Sequence, residues 1–373
     1  MTIANLARAC AAMLVAGTVG CAAGNAGDAA PTHSPHALGL VDFPISCSAA
    51  AQEEFNRGVA LLHHMTYPQA REVFGQVAQI DPSCAMPHWG IAMTLFQPLW
   101  PTRPGPEDLK RGWEEVQKAK GLGAPTERER QYLAAAEAFF RDPSASDYQQ
   151  RLARWDAAMA EVYAANPEDP EAAAFYALSR LSVAPSDVSS LEHWDRAAEI
   201  ILSVYERNAN HPGAMHYLIH ANDVPGRERE LLEVVRKYGE VAPRNPHALH
   251  MPTHIYTRLG DWDRVIAGNL EAADAALEYP AGESGQWVSD EFPHAIEYLV
   301  YAYLQKGADD DAAAQQRRLL QTEELQPGFK TAFHLASIQT RFALERRAWA
   351  EAAFWHRANP RRSTGTGSRG PRQ

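Results

Sequence analysis

Prolines punctuate this chain at intervals of roughly twenty residues, and between them apolar side chains recur three and four apart. No segment holds a period of two, so extended strands have no sustained support. Pro68, Pro82, Pro170, Pro212, Pro246 and Pro293 each stand where a helix can begin, the place where a missing N–H costs least. The stretches between them are rich in Ala, Leu, Glu, Gln and Arg, which favour helix. The pattern predicts about sixteen helices paired by short turns, an all-α chain.

Regular helix pairs raise the question of internal repeats. In residues 51–84, Gly58 is followed by Ala70, then Phe74, then Pro82. Small residues at 58 and 70 let two helices approach, Phe74 fills their seam, and Pro82 stops the second helix. This spacing resembles the tetratricopeptide repeat (TPR), a helix–turn–helix unit of about 34 residues. Ala158, Val162, Ala165 and Pro170 repeat its second half. Leu259-Gly260-Asp261-Trp262 with Val265 and Ala272, and Leu304-Gln305-Lys306-Gly307 with Ala312, look like its turn and second helix. Residues 97–107 and 279–290, rich in Pro or Gly, interrupt the series. The resemblance implies a right-handed superhelical solenoid of about eight helix pairs over residues 46–358, with no separate domains. It also implies a concave groove that binds a peptide, a protein or a small molecule.

The ends of the chain read differently. Arg8 is the only charge among the first 21 residues, and residues 9–20 form an uncharged, mainly apolar run too short to span a bilayer. Thr18-Val19-Gly20-Cys21 resembles the lipobox of bacterial lipoproteins. That resemblance implies a signal peptide over 1–20, lipid on Cys21 and a place in the cell envelope, at the outer membrane or in the periplasm. An ordinary secreted protein is the alternative. Residues 21–45 read as a flexible tether, and residues 359–373 as a disordered basic tail. In an oxidising compartment Cys47 and Cys84 pair as a disulfide or remain two small buried residues. A formal charge of −11 excludes a surface that coats nucleic acid.

The histidines carry the chemical signal, fifteen of them in 373 residues. His216 and His220 are four apart, as are His250 and His254, so each pair shares a helix face. From the first pair to the second is one repeat length, which places equivalent residues on adjacent first helices, facing the groove. Carrying the register onward brings His294, Glu297 and Tyr301 beside His247, His250 and His254, with Asp223 one turn beyond His220. Descent from one ancestral repeat is a poor account, because only the Ala and the two His coincide between 214–221 and 248–255. Two readings stay open. The rings are satisfied core or solvated groove residues, or they hold a divalent transition metal such as Zn, Cu or Fe, with Asp223 or Glu297 completing the shell. His63, His64, His88, His334 and His356 are read as structural or solvated. Pro252 threatens the geometry, and a helix starting at Pro246 behind an Asn245 cap, with a bend, preserves it. No HExxH, Gly-x-Ser-x-Gly, phosphate loop or CxxC occurs, so a binding or scaffold protein is the first expectation and a hydrolytic or oxidative metalloenzyme the second.

Overall fold

The computed structural model describes residues 37–358, apart from 101, 143–146, 185–190 and 283. The lipobox-like stretch with Cys21, the start of the tether and the basic tail lie outside the described residues. The chain folds as an all-α, TPR-like array whose helices each pack on the next. It begins with α1 (Ala49–His63), α2 (Tyr67–Ile80), α3 (Met86–Met93), α4 (Pro106–Leu122), α5 (Glu127–Phe140) and α6 (Tyr148–Ala165). It continues with α7 (Pro170–Ser182), α8 (Leu191–Arg207), α9 (Pro212–Asn222), α10 (Leu232–Val241), α11 (Pro246–His250) and α12 (Pro252–Leu259). It closes with α13 (Trp262–Leu277), α14 (Glu291–Gln305), α15 (Asp309–Gln321), α16 (Phe329–Glu345) and α17 (Trp349–Ala358). No described helix is long and apolar enough to cross a membrane.

Local chemistry explains the boundaries. Pro68, Pro170, Pro212 and Pro246 occupy first helical turns, while Pro82 lies in the turn that follows α2 instead of opening a helix. Ser48, Thr126, Asp147 and Asp169 cap their helices by accepting from a backbone N–H. The seam of the first repeat is tight. A Cβ on Gly58 would meet the Phe74 ring at 2.6 Å, and one on Gly90 would meet the same ring at 2.5 Å. The Gly-rich interruption near 279–290 forms a short antiparallel ribbon, β1 (Pro280–Ala281) with β2 (Trp287–Val288), in the register Pro280↔Val288.

Two features depart from an open repeat array. Residues 37–45, read as part of a tether, are packed down: Leu40 N donates to Asn210 O at 2.9 Å, and Phe43 is fully buried against Phe55, Trp89 and Tyr132. Burying one such ring stabilises the fold by about 1.5–3 kcal/mol, enough to hold a short segment in place. Cys47 and Cys84 form a disulfide with Cα atoms 5.5 Å apart, tying the lead-in of α1 to the turn after α2. The second departure is that α1 packs against the distant α9. This contact brings the His63 carbonyl onto His216 Nδ1, and His216 is fully buried. His250, bonded to Asn269, is 1% exposed.

Candidate metal centre

Five helices deliver the rings. His211 accepts from Ala214 N and caps α9, which carries His216 and His220 one turn apart. Asn245 caps α11 by accepting from Ala248 N, Pro252 breaks the helix after one turn and a half, and α12 resumes with His254. The bend keeps His247, His250 and His254 on one side. α14 adds His294 and Tyr298, and α16 adds His334.

The structure gathers these residues into two all-imidazole sets of three, and a further group joins His294 to Glu297 and His334. In the first, His216 Nε2 lies 3.1 Å from His220 Nε2 and 3.1 Å from His247 Nε2. In the second, His250 Nε2 lies 3.0 Å from His254 Nε2, and His294 joins them. Within each set the ligating atoms all fall within 4.8 Å of one another. Imidazole nitrogens bound tetrahedrally at 2.0–2.1 Å from one ion stand about 3.3–3.4 Å apart, so these spacings are close to those of a coordination shell.

The opposite edge of each ring decides its tautomer. His216 Nδ1 donates to the His63 carbonyl at 2.6 Å, and His254 Nδ1 to Asp223 Oδ2 at 2.9 Å. His247 Nδ1 donates to Glu291 Oε2 at 3.2 Å. His250 Nδ1 donates to Asn269 Oδ1 at 2.7 Å, and the Asn269 amide nitrogen is itself committed to Thr253 Oγ1 and Val265 O. Each of these partners accepts, so each Nδ1 carries the hydrogen, and in a neutral ring the Nε2 then keeps its lone pair. His250 and His254 then face each other lone pair to lone pair, as do His216 and His247. This is the outer-shell pattern that orients metal-bound histidines.

The electrostatics keep protons away. Burial lowers His216, His250 and His294 well below the usual histidine range, with neighbouring imidazoles adding to the effect. Burial likewise takes His220 down to about 3, helped by His254 and His247. Burial raises the Asp223 carboxyl, but His254 and Arg258 outweigh it and hold it down at about 2. Burial also opposes ionisation of Glu291, but Lys330 and His247 prevail and keep it below the carboxylate range. The acids are acceptors.

The remaining candidates have other roles. Asp223 orients His254 and pairs with Arg258; it does not enter either set. Glu297 is taken by His334 Nδ1 at 2.5 Å, by Ser337 and, at 3.8 Å, by Arg341, so it steers His334, whose ring lies 4.6 Å from that of His294. Tyr301 packs on Trp262 and under Arg341, away from the imidazoles; Tyr298, one turn earlier, stands beside them with its hydroxyl 3.4 Å from His254. His247 completes a set that the pairs spaced by four left one nitrogen short, and its signal was its place three residues before His250. His334 has no comparable signal, being alone on its helix. Trp100 borders both His247 and His294 and lies under Lys330. His64 bonds Tyr238 and the Leu38 carbonyl, and His88 bonds Glu115, so both belong to the packing of the fold.

No family model matches the chain, and no curated protein matches it. Among solved structures, it is similar to the apo form of RapI, at 12% identity over 83% of this chain and 87% of that one, with a TM-score of 0.44. A Rap protein complexed with competence and sporulation factor is similar at 12% identity over 84% and 87%, with a TM-score of 0.46. A solved TPR domain matches at 14% identity over 84% and 93%, with a TM-score of 0.21.

Proposed function

We propose that this chain is a TPR-like protein of the bacterial cell envelope that holds a divalent transition metal, zinc, copper or iron, on inward-turned imidazoles. Its helix-pair surface serves as a scaffold for a peptide, protein or small-molecule partner. The observation that carries the metal reading is the confrontation of His250 Nε2 and His254 Nε2 at 3.0 Å, with both Nδ1 hydrogens committed elsewhere. A proton between them serves two nitrogens, whereas three converge; His294 Nδ1 is buried with no hydrogen-bond partner among the described residues. A metal ion takes all three.

The address rests on Thr18-Val19-Gly20-Cys21, and a disulfide at Cys47–Cys84 suits an oxidising compartment. A metal-dependent hydrolytic or oxidative enzyme is the second reading. Three protein ligands leave a coordination position for water or substrate, and the Tyr298 hydroxyl stands beside the shell. The test is elemental analysis of the full chain purified without chelators. Stoichiometric metal that disappears in the His216→Ala/His250→Ala variant, with helicity retained, supports the site. Wild-type protein that carries none and refuses added zinc and copper ends it.

A further inference from the structure

The second set is as complete as the first, and it is built from different helices. His216 and His220 from α9 meet His247 from α11; His250 and His254, spanning the α11–α12 bend, meet His294 from α14. Each pair of successive repeats thus supplies one three-nitrogen set. The two sets adjoin, with ring centroids 6.2 Å apart for His247 and His250 and 6.3 Å apart for His220 and His254.

We propose that the centre is dinuclear: His216, His220 and His247 bind one metal ion, His250, His254 and His294 bind a second, and a small anionic oxygen donor such as hydroxide joins them. This inference rests on the metal reading above. Six neutral imidazoles bring no charge to two cations. The nearby carboxylates are already paired, Asp223 with Arg258 and Glu291 with Lys330, so the fold leaves the charge of two ions uncompensated. A small anion supplies what the side chains do not. His220, His254, His294 and Tyr298 are only partly buried, whereas His216, His247 and His250 are sealed. An all-imidazole donor set takes copper(II) ahead of zinc in the usual order of divalent affinities.

The sequence of sets ends there. Glu297 and His334 continue the line toward α16, but both Glu297 oxygens are occupied by His334 and Ser337, and no third set of imidazoles forms among the described residues. The prediction is therefore two ions.

The experiment titrates the full chain, stripped with chelator, with copper(II) and separately with zinc(II), counting bound metal after desalting. Copper-loaded protein is then examined by electron paramagnetic resonance. Two equivalents with a copper signal far below two spins support an adjacent, coupled pair. His220→Ala and His254→Ala each bring the count to one and restore the full signal of an isolated copper(II). One equivalent in wild type overturns the pair and leaves the metal reading standing; no metal overturns both. Two equivalents giving two full spins place the ions apart and also overturn the proposal. The resonance measurement on wild type decides the matter even if a variant fails to fold.

Discussion

Two clusters of buried histidine sit on either side of the α1–α9 contact, and they differ in one respect. In the first, His63 Nε2 donates to Glu171 Oε2 at 2.8 Å and His211 Nε2 to Glu171 Oε1 at 3.0 Å. His63 Nδ1 accepts from the Tyr217 hydroxyl at 2.9 Å, and His211 Nδ1 accepts from Ala214 N at 3.1 Å. Each nitrogen has one partner of opposite character, so the network closes on itself. Its three ligating atoms also lie within 4.8 Å of one another, as in the second cluster. Proximity alone therefore does not distinguish them. In the second cluster the acceptors stand outside, at Asp223, Glu291, Asn269 and the His63 carbonyl, and the lone pairs point inward at each other. A carboxylate at the centre satisfies the rings around it; carboxylates at the rim leave the inward nitrogens facing one another. The His63 residue joins both, with its ring in the closed network and its carbonyl holding His216.

The contrast can be broken from either side. The largest effect is expected at the closed network: Glu171→Ala strands two buried imidazole donors and should lower stability by about 3–5 kcal/mol in urea denaturation, with no recovery on adding zinc. A loss under about 1 kcal/mol would make the network a minor prop. Loading the open cluster should act in the opposite sense, raising unfolding free energy by about 4 kcal/mol when free metal exceeds its dissociation constant a thousandfold. That gain should vanish in His216→Ala/His250→Ala and persist in His88→Ala. An outer-shell change is gentler. Asp223→Ala frees the His254 ring and should weaken metal binding about 10–100-fold while helicity is unchanged; unaltered affinity would remove Asp223 from the site.

The last effect concerns acid. His64, bonded to Tyr238 and the Leu38 carbonyl, is lowered to about 3 by burial, with His247, His63 and His211 adding to the shift against the Leu38 bond. Below pH 6.5 the unfolded chain takes up a proton that folded His64 refuses. Stability is then lost as pH falls from 6.5 toward 3, by up to about 1.4 kcal/mol per pH unit for this one group. His64→Phe should reduce that slope by one proton, read from denaturation series across the same range. An unchanged slope would assign the acid sensitivity to other groups.

Much of this was legible in the residues. The spacing of His216 and His220 against His250 and His254 carried the repeat length, Asn245 announced a cap, and Gly58 with Phe74 announced a tight seam. The outer shell was not legible. Asp223 looked like a ligand because helix register places it one turn beyond His220, yet its oxygen reaches His254 on another helix. Glu297 does come beside His294 as register predicts, but it groups there with His334, which sits 37 residues later. Tyr298, one turn after His294 on α14, stands beside the rings, while Tyr301 packs on Trp262. The contact between residues 63 and 217, which joins α1 to α9, is one that no local pattern encodes.

The most direct measurement is a long-range proton–nitrogen spectrum of the histidine-labelled full chain, recorded before and after zinc. The Nε2 resonances of His216, His247, His250 and His254 should be those of unprotonated nitrogens in the metal-free chain and should move on loading, while His63, His64 and His211 stay fixed. Protonated Nε2 atoms at both members of either facing pair, or zinc-induced shifts confined to His63 and His211, would contradict the inward-turned lone pairs on which the metal centre rests.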